Sequence, residues 1–202
     1  MDTWVWILIA VVVVLVVLGA VGYFAQRRRT QALQGRFGSS EYDRTLETEG
    51  GRRAAERELR DREKRHEELD LRPLSPEARR GFQQEWEETQ HDFVDDPKGA
   101  VARADKLVQR VMRERGYPVE DFDRRAADIS VEHPDLVEKY RTADGIARAS
   151  ERGEASTEDL RHSVRHYRAL FIELLETDDD AVSSYDGDTA AARERDNVES
   201  SR

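Results

Sequence analysis

Residues 4–24 run from Trp4 to Phe24 without a single charged side chain. As a helix rising about 1.5 Å per residue they span roughly 31 Å, close to the ~30 Å hydrocarbon core of a bilayer. Trp4 and Trp6 stand at one end and Tyr23 and Phe24 at the other, the depths at which interfacial aromatics settle. The stretch predicts one transmembrane helix. A cleaved signal peptide would need a basic start, a shorter apolar region and a small-residue cleavage site. Here the run is too long, and Arg27, Arg28 and Arg29 follow it.

Positive flanks stay on the cytoplasmic side of a membrane. Arg27, Arg28, Arg29 and Arg36 all follow the run, and no lysine or arginine precedes it. The expected arrangement is a single-pass protein of the cell membrane, N-terminus outside and C-terminal domain cytoplasmic; an extracellular domain is the alternative. The same arginines can also touch anionic headgroups, each contributing on the order of 1 kcal/mol.

The remainder is polar. Charged residues make up 38% of the 202, and the formal net charge is −10. Residues 71–176 and 177–202 each carry a net charge of −5. So acidic a chain is poorly suited to neutralise a phosphate backbone, which argues against nucleic acid as a partner. Cysteine is absent, which removes disulfides, thiolate metal sites and a cysteine nucleophile.

Composition divides the chain after the anchor into four parts. Residues 25–51 hold the basic flank and Gly35, Gly38, Ser39, Ser40, Gly50 and Gly51, a pattern that predicts a flexible or part-helical connector. Its aromatics Phe37 and Tyr42 suit either the membrane interface or packing against chain neighbours. Residues 52–70 place fourteen charges in nineteen positions, seven of each sign. Glu56–Arg60, Glu58–Arg62 and Asp61–Arg65 have the favourable i,i+4 order. With only Leu59 and Leu69 as sizeable apolar residues, this part predicts a charged, solvated spacer helix.

Residues 71–176 predict a small helical bundle. Ser75-Pro76-Glu77 and Asp96-Pro97 are helix starts. Ala78, Phe82, Trp86, Thr89 and Phe93 fall on one stripe, and Val101, Ala104, Leu107, Val108, Val111 and Met112 on a second. Gly116-Tyr117-Pro118 is a stop signal. A short helix around 120–129 places Val119, Phe122, Ala126 and Ile129 inward, and Pro134 opens another with Leu136, Val137, Tyr140, Ala143 and Ala147. Ser156-Thr157-Glu158-Asp159 caps a last helix striped by Leu160, Val164, Tyr167, Phe171 and Leu174. No period-2 strand pattern interrupts them, so the fold class is all-α. Residues 177–202, opening on Thr177 and three aspartates, predict a disordered acidic tail.

Chemistry is less legible. His162 and His166 share a helical face at the spacing of a two-histidine metal clamp. The sequence supplies no third ligand there, and Arg161, Arg165 and Arg168 crowd the surface with positive charge. His133 suits a turn or cap, and His66 and His91 have no companions in the pattern. No phosphate loop, nucleophile elbow or zinc-protease motif occurs. The expectation is therefore no catalytic, metal or cofactor-binding residue and no cofactor, with the lipid bilayer and an unknown protein as partners.

Leu71-Arg-Pro-Leu-Ser-Pro-Glu-Ala-Arg79, Trp86 and Phe93-Val-Asp-Asp-Pro97 resemble a mostly actinobacterial family of uncharacterised proteins with an N-terminal hydrophobic segment. Val111–Pro118, Gly153–Arg161, His166–Phe171 and the Arg36–Arg44 stretch add to the likeness, which spans most of 36–176. The resemblance implies a helical domain behind a hydrophobic start, and no activity or catalytic residue comes with it. Members are often labelled secreted, against the orientation that the arginine flank implies. The functional expectation is a membrane-tethered helical interaction module. The alternatives are a membrane-tethered enzyme or small-ligand binder, and a structural envelope or stress protein.

Overall fold

The computed structural model describes residues 3–176, apart from the side chains of 3, 5–19, 21–26 and 29. Among the described residues every regular element is an α-helix. These are α1 (Thr3–Glu49), α2 (Arg52–Glu67), α3 (Pro76–Asp92), α4 (Pro97–Arg115), α5 (Phe122–Glu132), α6 (Pro134–Glu151) and α7 (157–176). The chain forms two compact units, Met1–Lys64 and Arg65–Arg202. The expected tail, 177–202, lies outside the described residues.

The backbone of 4–24 is helical, inside α1. Among the described residues no helix is long and apolar enough to cross a membrane. Most side chains of the apolar run, including Trp6, Tyr23 and Phe24, stand outside that description. Trp4 is exposed, as are Arg27 and Arg28; the side chain of Arg29 is not described.

In the first unit the segment expected as a flexible or part-helical connector is mostly helix. Residues 25–49 are helical throughout, except at Gly38, whose φ of 74° and ψ of 160° break α1 into limbs 3–37 and 39–49. The break reverses the chain. Thr30 and Tyr42 both donate hydrogen bonds to Glu56 Oε1, at 2.6 and 3.4 Å. On an unbroken helix twelve residues separate them by about 18 Å, too far for one carboxylate oxygen to reach both. Gly50, at φ 66°, makes the second turn. Helix α2 then runs beside the first limb. Arg52 meets Thr30 near one end, and Glu63 meets Arg36 at 3.1 Å farther along.

The solvated-spacer expectation for 52–70 is corrected for the same reason. Ala55, Glu56, Leu59 and His66 of α2 are buried, as are Leu33, Phe37 and Tyr42 of α1. The aromatics are thus packed within the protein. The charges do more than pair along the helix. Glu58–Arg62 forms at 2.9 Å as the i,i+4 rule expects, but Arg62 also reaches Glu41 of α1 at 2.6 Å. Glu56 turns to Thr30, Tyr42 and Arg52. Burial pushes its carboxyl upward, but hydrogen bonds from Thr30 and Arg52 and the arginine charge outweigh this and hold it below the usual range.

The second unit is the bundle, and its helices start and stop where local chemistry dictates. Ser75 Oγ accepts from Ala78 N at 3.1 Å, Asp96 from Gly99 N at 2.9 Å and Asp121 from Arg124 N at 2.9 Å. Ser156 and Asp159 cap α7 reciprocally, each side chain accepting from the other's backbone N–H. Proline opens α3, α4 and α6. The apolar stripes then meet: α3 packs on α4, α5 on α6 and α4 on α6. Trp86 stacks on Phe171 with centroids 4.8 Å apart, which brings α7 to α3. Tyr140 and Tyr167, both fully buried, meet edge to face at 6.2 Å. Each such side chain contributes about 1.5–3 kcal/mol through burial.

Gly116 closes α4 in the left-handed region at φ 97°. A Cβ there would sit 2.4 Å from the carbonyl oxygen of Asp70, where the stretch after α2 crosses the cap and Arg72 N donates to Arg115 O at 2.9 Å. Gly116→Ala therefore combines backbone strain with a backbone clash and should destabilise the protein by about 2–4 kcal/mol. Gly145 lies inside α6 with open space around it, so Gly145→Ala should stabilise by about 0.5–1 kcal/mol. Denaturant melts of the full-length protein in detergent measure both. Equal effects would contradict the close crossing at residue 116.

Candidate functional site

Two places in the second unit gather side chains beyond core packing. The first is a histidine–carboxylate junction on Glu132, the last residue of α5. His66 Nε2 lies 3.1 Å from Glu132 Oε1, and the Tyr117 hydroxyl donates to Oε2. His133 sits between Glu132, at 3.7 Å from Nε2, and Glu173 of α7, at 3.3 Å from Nδ1. Arg115 is buried beside them and donates to Leu174 O at 3.1 Å. The ends of α2 and α4, the α5–α6 joint and α7 converge here.

The local sequence explains each position. Gly116 turns the chain so that Arg115 and Tyr117 lie on either side of a left-handed residue. Pro134 forces a new helix directly after α5, so His133 serves both as its C-cap and as the residue before α6, making no side-chain cap bond. His133 is thus at a joint, as the sequence suggests, but its ring is buried. His66 does have companions. It follows Ala55 and Leu59 on the buried side of α2, and that helical spacing was the available signal. Arg115, Tyr117, Glu132 and Glu173 carried no such mark, because the contacts join distant parts of the chain.

The electrostatics favour an ionised Glu132. The hydrogen bond from His66, opposed by burial and aided by that from Tyr117, brings the Glu132 carboxyl down to about 2. Burial raises the Tyr117 phenol far above its ordinary value, and the Glu132 charge adds to this. Burial also lowers the His133 imidazole, against the pull of Glu132 and Glu173 and with help from the Arg115 charge. His133 Nδ1 faces the Glu173 carboxylate, which can only accept.

The second place is a cleft of about 380 Å³ between α3 and α7. Trp86, Phe171, Ile172 and Leu175 supply its apolar surface, with Gln83, Gln90 and Arg168 among its polar lining. Among the described residues Ile172 is a large apolar side chain left exposed, at 36%, as are Trp4 and Val94. None of the junction residues lines this cleft.

His162 and His166 lie with ring centroids 6.5 Å apart. Glu158 is 3.3 Å from His162, and Arg165 is equally near. Burial lowers the His166 imidazole, and the charge of its neighbours lowers it further. Among the described residues no group of three or more histidine, aspartate or glutamate side chains is arranged to hold a metal ion. The chain matches no family model, no curated protein and no solved structure.

The junction makes stability depend on pH in a definite direction. An unfolded histidine titrates near 6.5, whereas folded His133 titrates lower. The unfolded chain therefore takes a proton that the fold resists, and stability present above that value is lost as pH falls below it. Glu132 acts in the same sense from 4.5 down to about 2. Unfolding free energy should fall between about pH 7.5 and 5.5, and His133→Gln should flatten that segment while leaving the steeper acid loss. Denaturant melts across pH check this; an unchanged slope in the variant would contradict a buried neutral His133.

Proposed function

We propose that the chain is a single-pass membrane protein whose folded helices work as a protein-interaction module on the cytoplasmic face. The carrying observation is the 4–24 run, uncharged over a bilayer's thickness and followed by Arg27, Arg28 and Arg29. The helical backbone of α1 through this run supports the reading, as does the exposure of Trp4, Arg27 and Arg28. The side bearing the arginines faces the cytoplasm.

The cleft between α3 and α7 supports the binding half of the proposal. An exposed isoleucine beside buried aromatics, with glutamines and an arginine around them, suits an apolar side chain from a protein partner. Its volume also lies at the small end of ligand pockets, so a small-ligand binder is the second reading.

The full-length protein should resist alkaline carbonate extraction from membranes, and a truncation lacking residues 1–29 should become extractable. A fluorescent-protein fusion at residue 202 should glow, and an alkaline phosphatase fusion there should stay inactive. An extractable full-length protein would remove the anchor, and the opposite reporter pattern would reverse its direction.

A further inference from the structure

We infer that the arginine turn after the apolar run and the first turn of α2 form one composite basic surface that seats on anionic phospholipid headgroups. The inference rests on the anchor proposed above and extends it from one helix to a folded face.

The juxtaposition comes from the two chain reversals. Arg52, the first residue of α2, donates to Thr30 Oγ1. Thr30 in turn donates to Glu56 Oε1 at 2.6 Å, and Arg52 Nε donates to the same oxygen at 3.0 Å. This part-buried clamp holds the N-terminus of α2 at the level of Thr30. Arg27 is three residues before Thr30, about 4.5 Å along the helix axis. Arg27, Arg28 and Arg53 are all exposed. Residues 52–53 are therefore remote in sequence from the flank and beside it in the fold.

The charge balance favours an anion. Arg52 is neutralised by Glu56, so its part is structural, while Arg27, Arg28 and Arg53 have no ion pair with a described carboxylate at the clamp. Exposed Glu49, three residues before Arg52, subtracts one charge. Arginines at the start of α2, with no acidic residue in its first turn, oppose the helix dipole, an arrangement that an external anion relieves. Phe24 lies three residues before Arg27, which puts the patch at headgroup depth when 4–24 spans the bilayer. Each arginine near an anionic surface is worth roughly a fivefold shift in the seated-to-unseated ratio. Acidic residues outnumber basic ones elsewhere in the chain, so the attraction is local to this face and does not follow from net charge.

The absence of cysteine permits a clean test. Gly51 has open space around it, so Gly51→Cys can carry an environment-sensitive fluorophore in the full-length protein. The labelled protein is reconstituted into vesicles of phosphatidylcholine alone, or with about one-third phosphatidylglycerol, and quenched by headgroup-labelled lipid. Phosphatidylglycerol should increase quenching, about 0.5 M salt should reverse the increase by screening, and Arg28→Gln with Arg53→Gln should abolish it. Circular dichroism checks that these exposed substitutions leave the helices intact. Quenching indifferent to phosphatidylglycerol, or to the two substitutions, overturns the inference. Inorganic phosphate producing the same spectral change in neutral vesicles would assign the surface to free phosphate and also overturn it. Flotation with the vesicles is scored in every arm. A protein that fails to float overturns the anchor and this inference together, whereas one that floats without the lipid response overturns the inference alone.

Discussion

One carboxylate fixes the course of the first unit. Glu56 accepts from Thr30, Tyr42 and Arg52, groups drawn from two limbs of a broken helix and from the helix that follows. Removing the carboxylate leaves the Thr30 and Tyr42 hydroxyls without their shared acceptor, and a buried polar group left unsatisfied costs about 1–3 kcal/mol. The turns at Gly38 and Gly50 are therefore consequences of an interaction as much as causes of it. Positive φ makes the reversals sterically accessible, and Glu56 gives the reversed chain something to close on.

The bundle depends on a different economy. Its helices begin at side-chain caps and prolines and bury one apolar stripe each; α4 ends at glycine and α5 just before a proline. Buried polar groups close on local partners inside the bundle, as Arg125 does on Tyr140 and Ser163 on Ala143 O, and gather where the ends of several elements meet, at Glu132 and its neighbours. There a charged carboxylate is satisfied by His66 and Tyr117, and His133 bridges toward Glu173. These contacts fasten the ends of several helices together.

The two units differ in how legible they were. In the bundle, Ser75-Pro76, Asp96-Pro97 and Gly116 mark boundaries locally, and Phe82, Trp86, Val108 and Tyr167 announce their burial by spacing. Short-range rules suffice for them. Residues 30–67 defeat the same rules. Gly38-Ser39-Ser40 has the composition of a linker, yet only Gly38 departs from helix. The charges of 52–67 could all be satisfied along one helix, so nothing local reveals that Glu56 and Arg62 turn to partners in α1. The histidine junction was hidden likewise, because Glu132 and Glu173 look like any other helix-end carboxylates until their helices are packed.

The chain doubles back beside residues 30–37, just past the apolar run, and so presents a folded face there. Spin labels at exposed Gln31 and Glu49 measure it directly in the full-length protein. On a continuous helix those residues are about 27 Å apart along the axis. Helices packed side by side bring their axes to about 8–10 Å. A short distance that lengthens in Glu56→Ala is the result expected here. A single long distance in the native protein, unaltered by that substitution, would contradict the account.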